Sequence, residues 1–230
     1  LDHKENNYLS ALHFADQQIG VSFLDVSTGE FLAEQGPPEQ IDLLLQSFRP
    51  SEILVQKANV RRLQTLFPGK YHLTPMEDWV FTRDFADDLL LKHFGVRSLK
   101  GFGLELYNEG IIACGAAMQY LSQSRSEIPA HIRKISRVDQ KNHVWLDRFT
   151  IRNLELIHSV NEGAVTLIQV LDQTQTPMGS RMLKRWVLLP LRDRQAIEKR
   201  HEVVSCFVDA PELAETIKGH LRSIHDLERL

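Results

Sequence analysis

Asp25 is the residue of this sequence whose surroundings come closest to those of a catalytic group. It lies in the first predicted strand, Ile19 to Val26, and metal-dependent nucleases bind Mg²⁺ through carboxylates on the strands of a sheet. Such a site needs further carboxylates, but the run that reads as a later strand ends with Gln56. An Asx residue before a turn also hydrogen-bonds the turn backbone, here at Thr28 or Gly29. We therefore interpret Asp25 as a turn residue.

The dipeptide Gly69-Lys70 raises the question of a phosphate-binding loop. A P-loop requires an earlier glycine where this chain has Gln64, and Ser or Thr where it has Tyr71. The sequence therefore contains no Walker A motif, and no nucleotide-binding site is predicted.

Histidine and cysteine residues form no metal-binding pattern. No HExxH motif is present, and His220 and His225 are spaced so that they point to different sides of a helix. Cys114 and Cys206 belong to no CxxC motif, so neither a zinc site nor a disulfide is indicated. No catalytic, cofactor-binding or metal-ligating residue is predicted anywhere in the chain.

One local cluster of basic residues has two interpretations. It could contact a phosphate backbone, or it could be a solvated helix face whose charges pair with Asp193 and Glu198. We favour the solvated face. The members of the cluster are Arg181, Lys184, Arg185, Arg192 and Arg194.

Composition is that of an ordinary globular protein. The chain has 230 residues, 43% hydrophobic and 25% charged, with a formal net charge of −3. This length accommodates one large domain or two small ones. The net charge lacks the excess of basic residues that is typical of a nucleic-acid-binding domain. The apolar run Ile111 to Met118 is too short to span a bilayer, so we expect a cytoplasmic protein without a membrane partner. Because the chain starts at Leu1 without Met and stops within a helical pattern, we expect it to be a piece of a longer protein.

The first half alternates between strand and helix patterns. Leu1 to Ser10 is polar and is interpreted as a linker. The runs Ile19 to Val26 and Glu30 to Ala33 flank a glycine turn and predict a hairpin. Helix and strand patterns then alternate up to the polar segment before Pro129, which predicts a mixed sheet with flanking helices over residues 1–128.

The second half, residues 129–230, has helical patterning after Asp147. Thr176 can cap a helix whose first position is Pro177, and Pro190 ends it. Trp186 lies on the apolar stripe of this helix and is therefore interpreted as a core anchor. The other members of the stripe are Met178, Met182, Leu183 and Leu189.

A long motif in this half resembles a known family. It consists of an Asp, Thr-x-x-Asn-Leu-Glu-Leu, then Leu-Asp-x-Thr-x-Thr-x-Met-Gly-x-Arg-x-Leu-x-x-Trp, and finally Pro-Leu. This is the signature of the MutS family of DNA mismatch-repair proteins, and residues 19–31 and 102–121 are similar to the connector domain of that family. In this chain the signature residues are Asp147, Thr150, Asn153, Leu154, Glu155, Leu156, Leu171, Asp172, Thr174, Thr176, Met178, Gly179, Arg181, Leu183, Trp186, Pro190 and Leu191.

The resemblance implies an α/β, ribonuclease H-like connector domain over 1–128, followed by an α-helical partial core domain, the base of the lever arms, over 129–230. It implies that the signature residues are structural. It also implies that Ile224 to Leu230 begins a further helix. The segment itself is expected not to catalyse, because it has no Walker A motif and no Phe-x-Glu mismatch wedge.

For the full-length family the resemblance implies an ATPase that uses ATP and Mg²⁺, forms a homodimer, binds mismatched double-stranded DNA and recruits a MutL-like protein through the connector. Two alternatives stay open. One is a MutS relative that acts in recombination, and the other is a ribonuclease H-like nuclease built around Asp25.

Overall fold

The computed structural model describes residues 3–69, 71–124, 128–138, 142–159, 161 and 163–229. Contacts divide the chain into two compact units. The sheet unit comprises Asn7–Val138, and the helical unit comprises Leu1–Asn6 together with Asp139–Leu230. Lys70, the second residue of the Gly69-Lys70 dipeptide, lies outside the described residues.

The sheet unit is built on a mixed sheet. Its strands in the described residues are β1 (Tyr8–Phe14), β2 (Ile19–Asp25), β3 (Glu30–Gly36), β4 (Glu52–Gln56), β5 (His72–Met76) and β6 (Ser136–Arg137). They follow the order β5-β4-β1-β2-β3-β6. β1, β2 and β3 form an antiparallel meander, β4 joins β1 in parallel, and β5 joins β4 in parallel.

The first strand begins within the segment that was interpreted as a linker. Leu1 to Ser10 is not a linker throughout, because β1 begins at Tyr8 and pairs with β2 along its whole length. Its polar residues concealed it: Ser10 is fully buried, and its hydroxyl donates a hydrogen bond to the carbonyl of Ser22 at 2.7 Å. The predicted hairpin at Gly29 is confirmed as the β2–β3 connection.

Helices pack against the strands of this unit. The predicted mixed sheet with flanking helices is therefore confirmed. α4 packs against β1, β2 and β3 and also against α3, and α1 contacts β2 and β3. The helices are α1 (Pro38–Phe48), α2 (Val60–Leu66), α3 (Arg83–Phe94) and α4 (Asn108–Ser124).

Two glycines allow α4 to pack this closely. A Cβ on Gly20 would lie 2.0 Å from the main-chain oxygen of Glu109, and one on Gly115 would lie 2.5 Å from the Cβ of Ala86. Both distances are shorter than van der Waals contact, so only a residue without a side chain fits. The Ala- and Gly-rich composition of α4 thus reflects close packing on two sides.

The sheet unit continues beyond the boundary predicted at Ile128. Ile132 and Ile135 are buried in its hydrophobic core. β6 then pairs in parallel with β3, with Leu32 opposite Ser136. Burial and strand pairing together keep this segment in the sheet unit as far as Val138.

The helical unit is confirmed as helical from Arg148 onward. Thr176 accepts a hydrogen bond from the N–H of Gly179 at 3.1 Å, and Pro177 is the first residue of α7, as predicted. The further helix implied for Ile224 to Leu230 is not found over 224–229, and Leu230 lies outside the described residues. The helices are α5 (Arg148–Asn153), α6 (Leu167–Leu171), α7 (Pro177–Leu188), α8 (Arg194–Asp209) and α9 (Pro211–Arg222). No helix in the described ranges has the length and apolar character needed to cross a bilayer.

Candidate functional site

Asp25, the residue weighed as a nuclease carboxylate, is engaged within its own turn. It ends the second strand of the sheet, not the first, and it is fully buried. Its Oδ1 accepts hydrogen bonds from the N–H of Ser27 at 2.9 Å and from the Ser27 hydroxyl at 2.5 Å. Its Oδ2 accepts from the N–H of Asn7 at 3.3 Å, and its main-chain oxygen accepts from the N–H of Gly29 at 2.8 Å. The turn interpretation is confirmed, although the side chain bonds Ser27 rather than Thr28 or Gly29.

In the part of the chain that the structure describes, no carboxylate cluster accompanies Asp25. Among the described residues, no group of three or more His, Cys, Asp or Glu side chains is arranged to hold a metal ion. The nuclease alternative therefore has no constellation of residues to support it in the described part of the chain.

Gln35 of the sheet unit has a role that the sequence did not reveal. Its Oε1 accepts hydrogen bonds from the N–H groups of Glu109 at 3.0 Å and Gly110 at 3.4 Å, at the start of α4. Its Nε2 donates to the carbonyl of Leu106 at 2.8 Å. These N–H groups at the start of α4 have no partner within the helix, and the side chain of Gln35 on β3 accepts their hydrogen bonds instead. Only the tertiary fold brings the two elements together.

The signature segment opens with a capped helix. Asp147 is the N-cap of α5, and its Oδ1 accepts from the N–H of Thr150 at 2.7 Å. That backbone hydrogen bond is the main reason why the pKa of Asp147 is lowered. Asn153 and Leu154, which follow, are exposed.

Glu155 turns the chain toward α6. Its φ of 46° lies in the left-handed region, and its carboxylate accepts from the hydroxyl of Ser159 at 2.8 Å. The carbonyls of Glu155 and Leu156 accept from the N–H groups of Leu167 and Ile168 at 3.0 and 2.9 Å. α5 and α6 are therefore joined by main-chain hydrogen bonds at this point.

Asp172 organises the connection from α6 to α7. Its Oδ1 accepts from the hydroxyl of Thr174 at 2.5 Å and from the N–H of Thr174 at 3.2 Å, and its Oδ2 accepts from the hydroxyl of Ser180 at 2.5 Å. Burial alone would raise the pKa of Asp172, but the hydrogen bonds from Ser180 and Thr174, with the charge of Lys4, lower it below its ordinary value.

Gly179 completes this corner. A Cβ on Gly179 would lie 3.2 Å from the Cβ of Thr174 and 3.2 Å from the hydroxyl oxygen of Thr176. These distances are tighter than most packing contacts, so the first turn of α7 fits against Thr174 most easily when residue 179 has no side chain. The Asp172 brace, defined here as Asp172, Thr174 and Ser180, thus depends on small neighbours.

Arg181 makes hydrogen bonds to three residues from other parts of the chain. Only 3% of its side chain is exposed. Its guanidinium donates to both carboxylate oxygens of Asp226 at 2.8 Å and to Oε2 of Glu228 at 2.6 and 3.2 Å. It also donates to the carbonyl of His3 at 2.6 Å. We call Arg181, Asp226 and Glu228 the Arg181 brace.

The charges of the Arg181 brace stabilise one another. Hydrogen bonding to Asp226 raises the pKa of Arg181 above its already high value, against the opposing effect of burial. Hydrogen bonding from Arg181 likewise lowers the pKa of Asp226. Paired, bidentate geometry of this kind is what permits a guanidinium to be buried. The prediction that Arg181 belongs to a solvated face is therefore wrong.

Of the remaining basic residues of the cluster, Arg192 and Arg194 are exposed as predicted, whereas Lys184 and Arg185 are partly buried. Arg194 pairs with Glu198 at 2.7 Å on the exposed surface of α8. Arg192 is also exposed, but its N–H bonds the carbonyl of Asn142 at 2.8 Å. Lys184 is largely covered and pairs with Glu5 at 2.9 Å.

Trp186 is not a core anchor, and that prediction is wrong. Its side chain is 41% exposed, and the guanidinium carbon of Arg200 lies 3.7 Å from the centre of its ring. Met178 and Leu183 on the same helix are only partly buried, and Met182 is exposed. Ser180 and Arg181 are the residues that α7 buries along with Leu188. The covered side of α7 is therefore largely polar and held by hydrogen bonds.

The segment ends in a short extended pairing. The carbonyl of Pro190 accepts from the N–H of Val144 at 2.7 Å, and Leu191 bridges His143 in antiparallel fashion. The partners Ser180, Asp226 and Glu228 were missed by sequence reasoning. The alternation of acidic residues in Ile224 to Leu230 was the sequence signal for Asp226 and Glu228.

These observations define a class of protein: a mixed sheet flanked by helices, followed by a helical unit whose opening helices are held by buried polar braces. Comparison with known families gives the same division. Residues 7–133 match the family model MutS domain II, and residues 149–230 match MutS domain III. The chain belongs to the MutS family.

Curated relatives match along the whole chain. It is 50% identical over 230 residues to the DNA mismatch repair protein MutS of Christiangramia forsetii and to that of Flavobacterium psychrophilum. It is 47% identical over 230 residues to the protein of the same name from Cytophaga hutchinsonii. In each case all of this chain is covered but only 26 or 27% of the relative, so the chain spans about a quarter of their length.

Proposed function

We propose that this chain is the connector and lever-base segment of a MutS-type DNA mismatch-recognition protein, and that it acts mechanically, without catalysing a reaction. The supporting observation is how the signature residues are used. Asp172 and Arg181 bond Thr174, Ser180 and Asp226, so their polar groups hold helices together. A segment stiffened in this way can transmit a movement along its length.

In the proposed full-length protein, ATP and Mg²⁺ bind at a separate ATPase site. The braced helices relay the nucleotide state to the part of the protein that grips mismatched double-stranded DNA, within a homodimer. The relatives named above carry the name DNA mismatch repair protein MutS, which favours repair over the recombination alternative. We also infer a cytoplasmic location.

We further propose that the sheet unit is a ribonuclease H-like connector that helps to dock a MutL-like partner. The order β5-β4-β1-β2-β3, with an antiparallel meander extended in parallel by β4 and β5, supports the fold assignment. Turn bonding of Asp25 supports a connector that no longer functions as a nuclease. Residues 7–138 contain 15 Asp and Glu against 13 Lys and Arg, a slight acidic excess that favours a protein partner over a DNA surface for this unit.

Exposed charges offer a way to test the docking proposal in the full-length protein. Asp84 and Asp88 lie on α3, whereas Arg61 lies on α2, and all three are exposed. Asp84→Lys with Asp88→Lys changes one surface, and Arg61→Glu is the matched change on another helix. Mismatch binding and MutL recruitment are measured separately by surface plasmon resonance.

Docking through the sheet unit predicts that at least one charge reversal abolishes MutL recruitment while mismatch affinity stays within about twofold of the unmodified protein. If every variant that loses MutL loses mismatch binding to the same extent, the sheet unit is a structural relay and the docking proposal fails. A metal-dependent nuclease assay on the same preparations addresses the alternative built on Asp25.

A further inference from the structure

A short segment before the first strand belongs to the helical unit. Contacts assign Leu1–Asn6 to that unit, although the sheet unit begins at the very next residue, Asn7. We call the described part of this segment, residues 3–6, the strap. The chain therefore enters the sheet unit directly from a segment that is attached to the helical unit.

Contacts from α7 hold the strap. The buried guanidinium of Arg181 donates to the carbonyl of His3 at 2.6 Å, and Lys184, one helical turn further along, pairs with Glu5 at 2.9 Å. Residues three positions apart share a face of a helix, so α7 presents both cations to the strap together.

Two further interactions link the strap to the rest of the helical unit. Arg229 donates to the main-chain oxygen of Glu5, from the segment that also carries Asp226 and Glu228. The positive charge of Lys4 favours the ionised form of Asp172. The strap thus interacts with the Asp172 brace and with the Arg181 brace.

We propose that the strap is a clamp. It fixes to α7 one of the connections through which the chain enters the sheet unit, and release of the strap gives the sheet unit more freedom to reorient. The two main contacts differ in strength. The Arg181 contact is almost fully covered, whereas the Lys184 and Glu5 side chains are 24% and 56% exposed. The outer ion pair is therefore the weak point at which the strap opens, since ion pairs that are in contact with water stabilise a fold only slightly. The inference does not depend on the proposed role in mismatch repair.

A charge-swap experiment tests the clamp without disturbing the Arg181 brace. A spin label is placed at His3→Cys in a Cys206→Ser background, which leaves the carbonyl of residue 3 in place and removes the other exposed thiol. Lys184→Glu brings two negative charges together, and adding Glu5→Lys restores an ion pair. Lys218→Glu, which breaks an exposed pair with Glu215 in α9, is the matched control.

The expected result is an increase of about two- to fivefold in the mobile spectral component for Lys184→Glu, equivalent to the modest free energy of such a pair. The charge swap should return the spectrum to that of the starting protein, and Lys218→Glu should leave it unchanged. A strap that is already fully mobile before mutation, or a swap that fails to restore immobility, would overturn the clamp.

A distance measurement tests the effect on the sheet unit. Labels at the native exposed Cys206 of α8 and at Thr65→Cys of α2 report the spread of distances between the units, because Cys114 is buried and does not react. Lys184→Glu should broaden the distance distribution, and the charge swap should narrow it again. An unchanged distribution while the strap itself becomes mobile would show that the strap does not restrain the sheet unit, and that part of the proposal would be wrong.

Discussion

Arg181 and Asp226 form a bidentate ion pair that joins α7 to the segment after α9. Nη1 of Arg181 lies 2.8 Å from one carboxylate oxygen of Asp226, and Nη2 lies 2.8 Å from the other. Because the guanidinium is nearly inaccessible to water, water cannot replace the carboxylate of Asp226 as its partner if that residue is lost. This relationship makes the helical unit sensitive to substitution at a residue that looks from its sequence like a surface cation.

Arg181→Met should therefore lower the free energy of unfolding of the helical unit by about 3–5 kcal/mol, the cost of leaving one member of a buried ion pair without its partner. Urea unfolding followed by Trp145 and Trp186 fluorescence in a Trp79→Phe background measures this unit. Arg194→Met is the control, since Arg194 is an exposed partner of Glu198, and it should change the stability by less than about 1 kcal/mol. Equal effects of the two substitutions would contradict the buried pairing.

Trp186→Ala should cost little, about 1 kcal/mol, rather than the roughly 3–5 kcal/mol expected for a fully buried aromatic residue. The reason is that Trp186 is 41% exposed and that the Arg200 guanidinium lies over its ring. Emission from Trp186 alone, with Trp79→Phe and Trp145→Phe, should be close to that of a solvent-exposed indole. A strongly blue-shifted emission would restore the core assignment.

Acid should destabilise the helical unit through Asp172 and Asp226. The folded-state pKa of each is lowered, so each contributes stability above its unfolded value of about 3.9, and that contribution is lost as the pH falls through the folded value. Asp172→Asn should weaken the unit by about 1–3 kcal/mol at pH 7, because the Thr174 and Ser180 hydroxyls lose their carboxylate acceptor.

The same variant should also show a shallower loss of stability between pH 5 and about pH 3 than the unmodified chain. Urea titrations at each pH, with the fluorescence probes of the helical unit, provide the comparison. Parallel pH profiles for the two proteins would exclude a contribution from Asp172.

His13 should make the sheet unit sensitive to mildly acidic pH. Its pKa is lowered mainly by burial, which outweighs the favourable effect of Glu109 at 3.0 Å. The unfolded state therefore binds a proton near pH 6.5 before the folded state does, and stability falls as the pH drops below about 6.5 through the folded value. Urea unfolding reported by Trp79, in a Trp145→Phe and Trp186→Phe background, should show this loss between pH 7.5 and pH 5.5. In His13→Gln the loss should be smaller over the same interval.

Gly20→Ala should disrupt the sheet unit, since the new methyl group would meet the main-chain oxygen of Glu109 at 2.0 Å and backbone cannot rotate away as a side chain can. We expect a loss of about 3 kcal/mol or more, at or beyond the upper end of overpacking effects. Gly101→Ala is the matched control, because a Cβ at residue 101 would meet no described atom within 4 Å, and the stability should change by less than about 1 kcal/mol. The unfolding temperatures of the two variants and of the unmodified chain provide the comparison, and equal values for the two variants would contradict the close packing at Gly20.

Local patterns in the sequence determined much of this protein. The hairpin at Gly29 and the start of α7 at Thr176 and Pro177 are fixed by turn and capping residues that act on their nearest neighbours. The long signature identified the family, and two units with different patterning were evident on either side of the polar segment before Pro129.

Tertiary structure alone decided which residues are buried and which polar groups meet. Tyr8 to Phe14 is a strand because it pairs with β2 along its whole length, and Ser10 can be buried there because its hydroxyl donates to the carbonyl of Ser22. Arg181 is buried because Asp226 and Glu228 neutralise it from 45 and 47 residues away. Trp186 is exposed, whereas Arg181 of the same helix is buried. A helical stripe predicts which residues share a face, but burial of that face depends on partners from distant parts of the chain, and their charges and hydrogen bonds determine which face is covered.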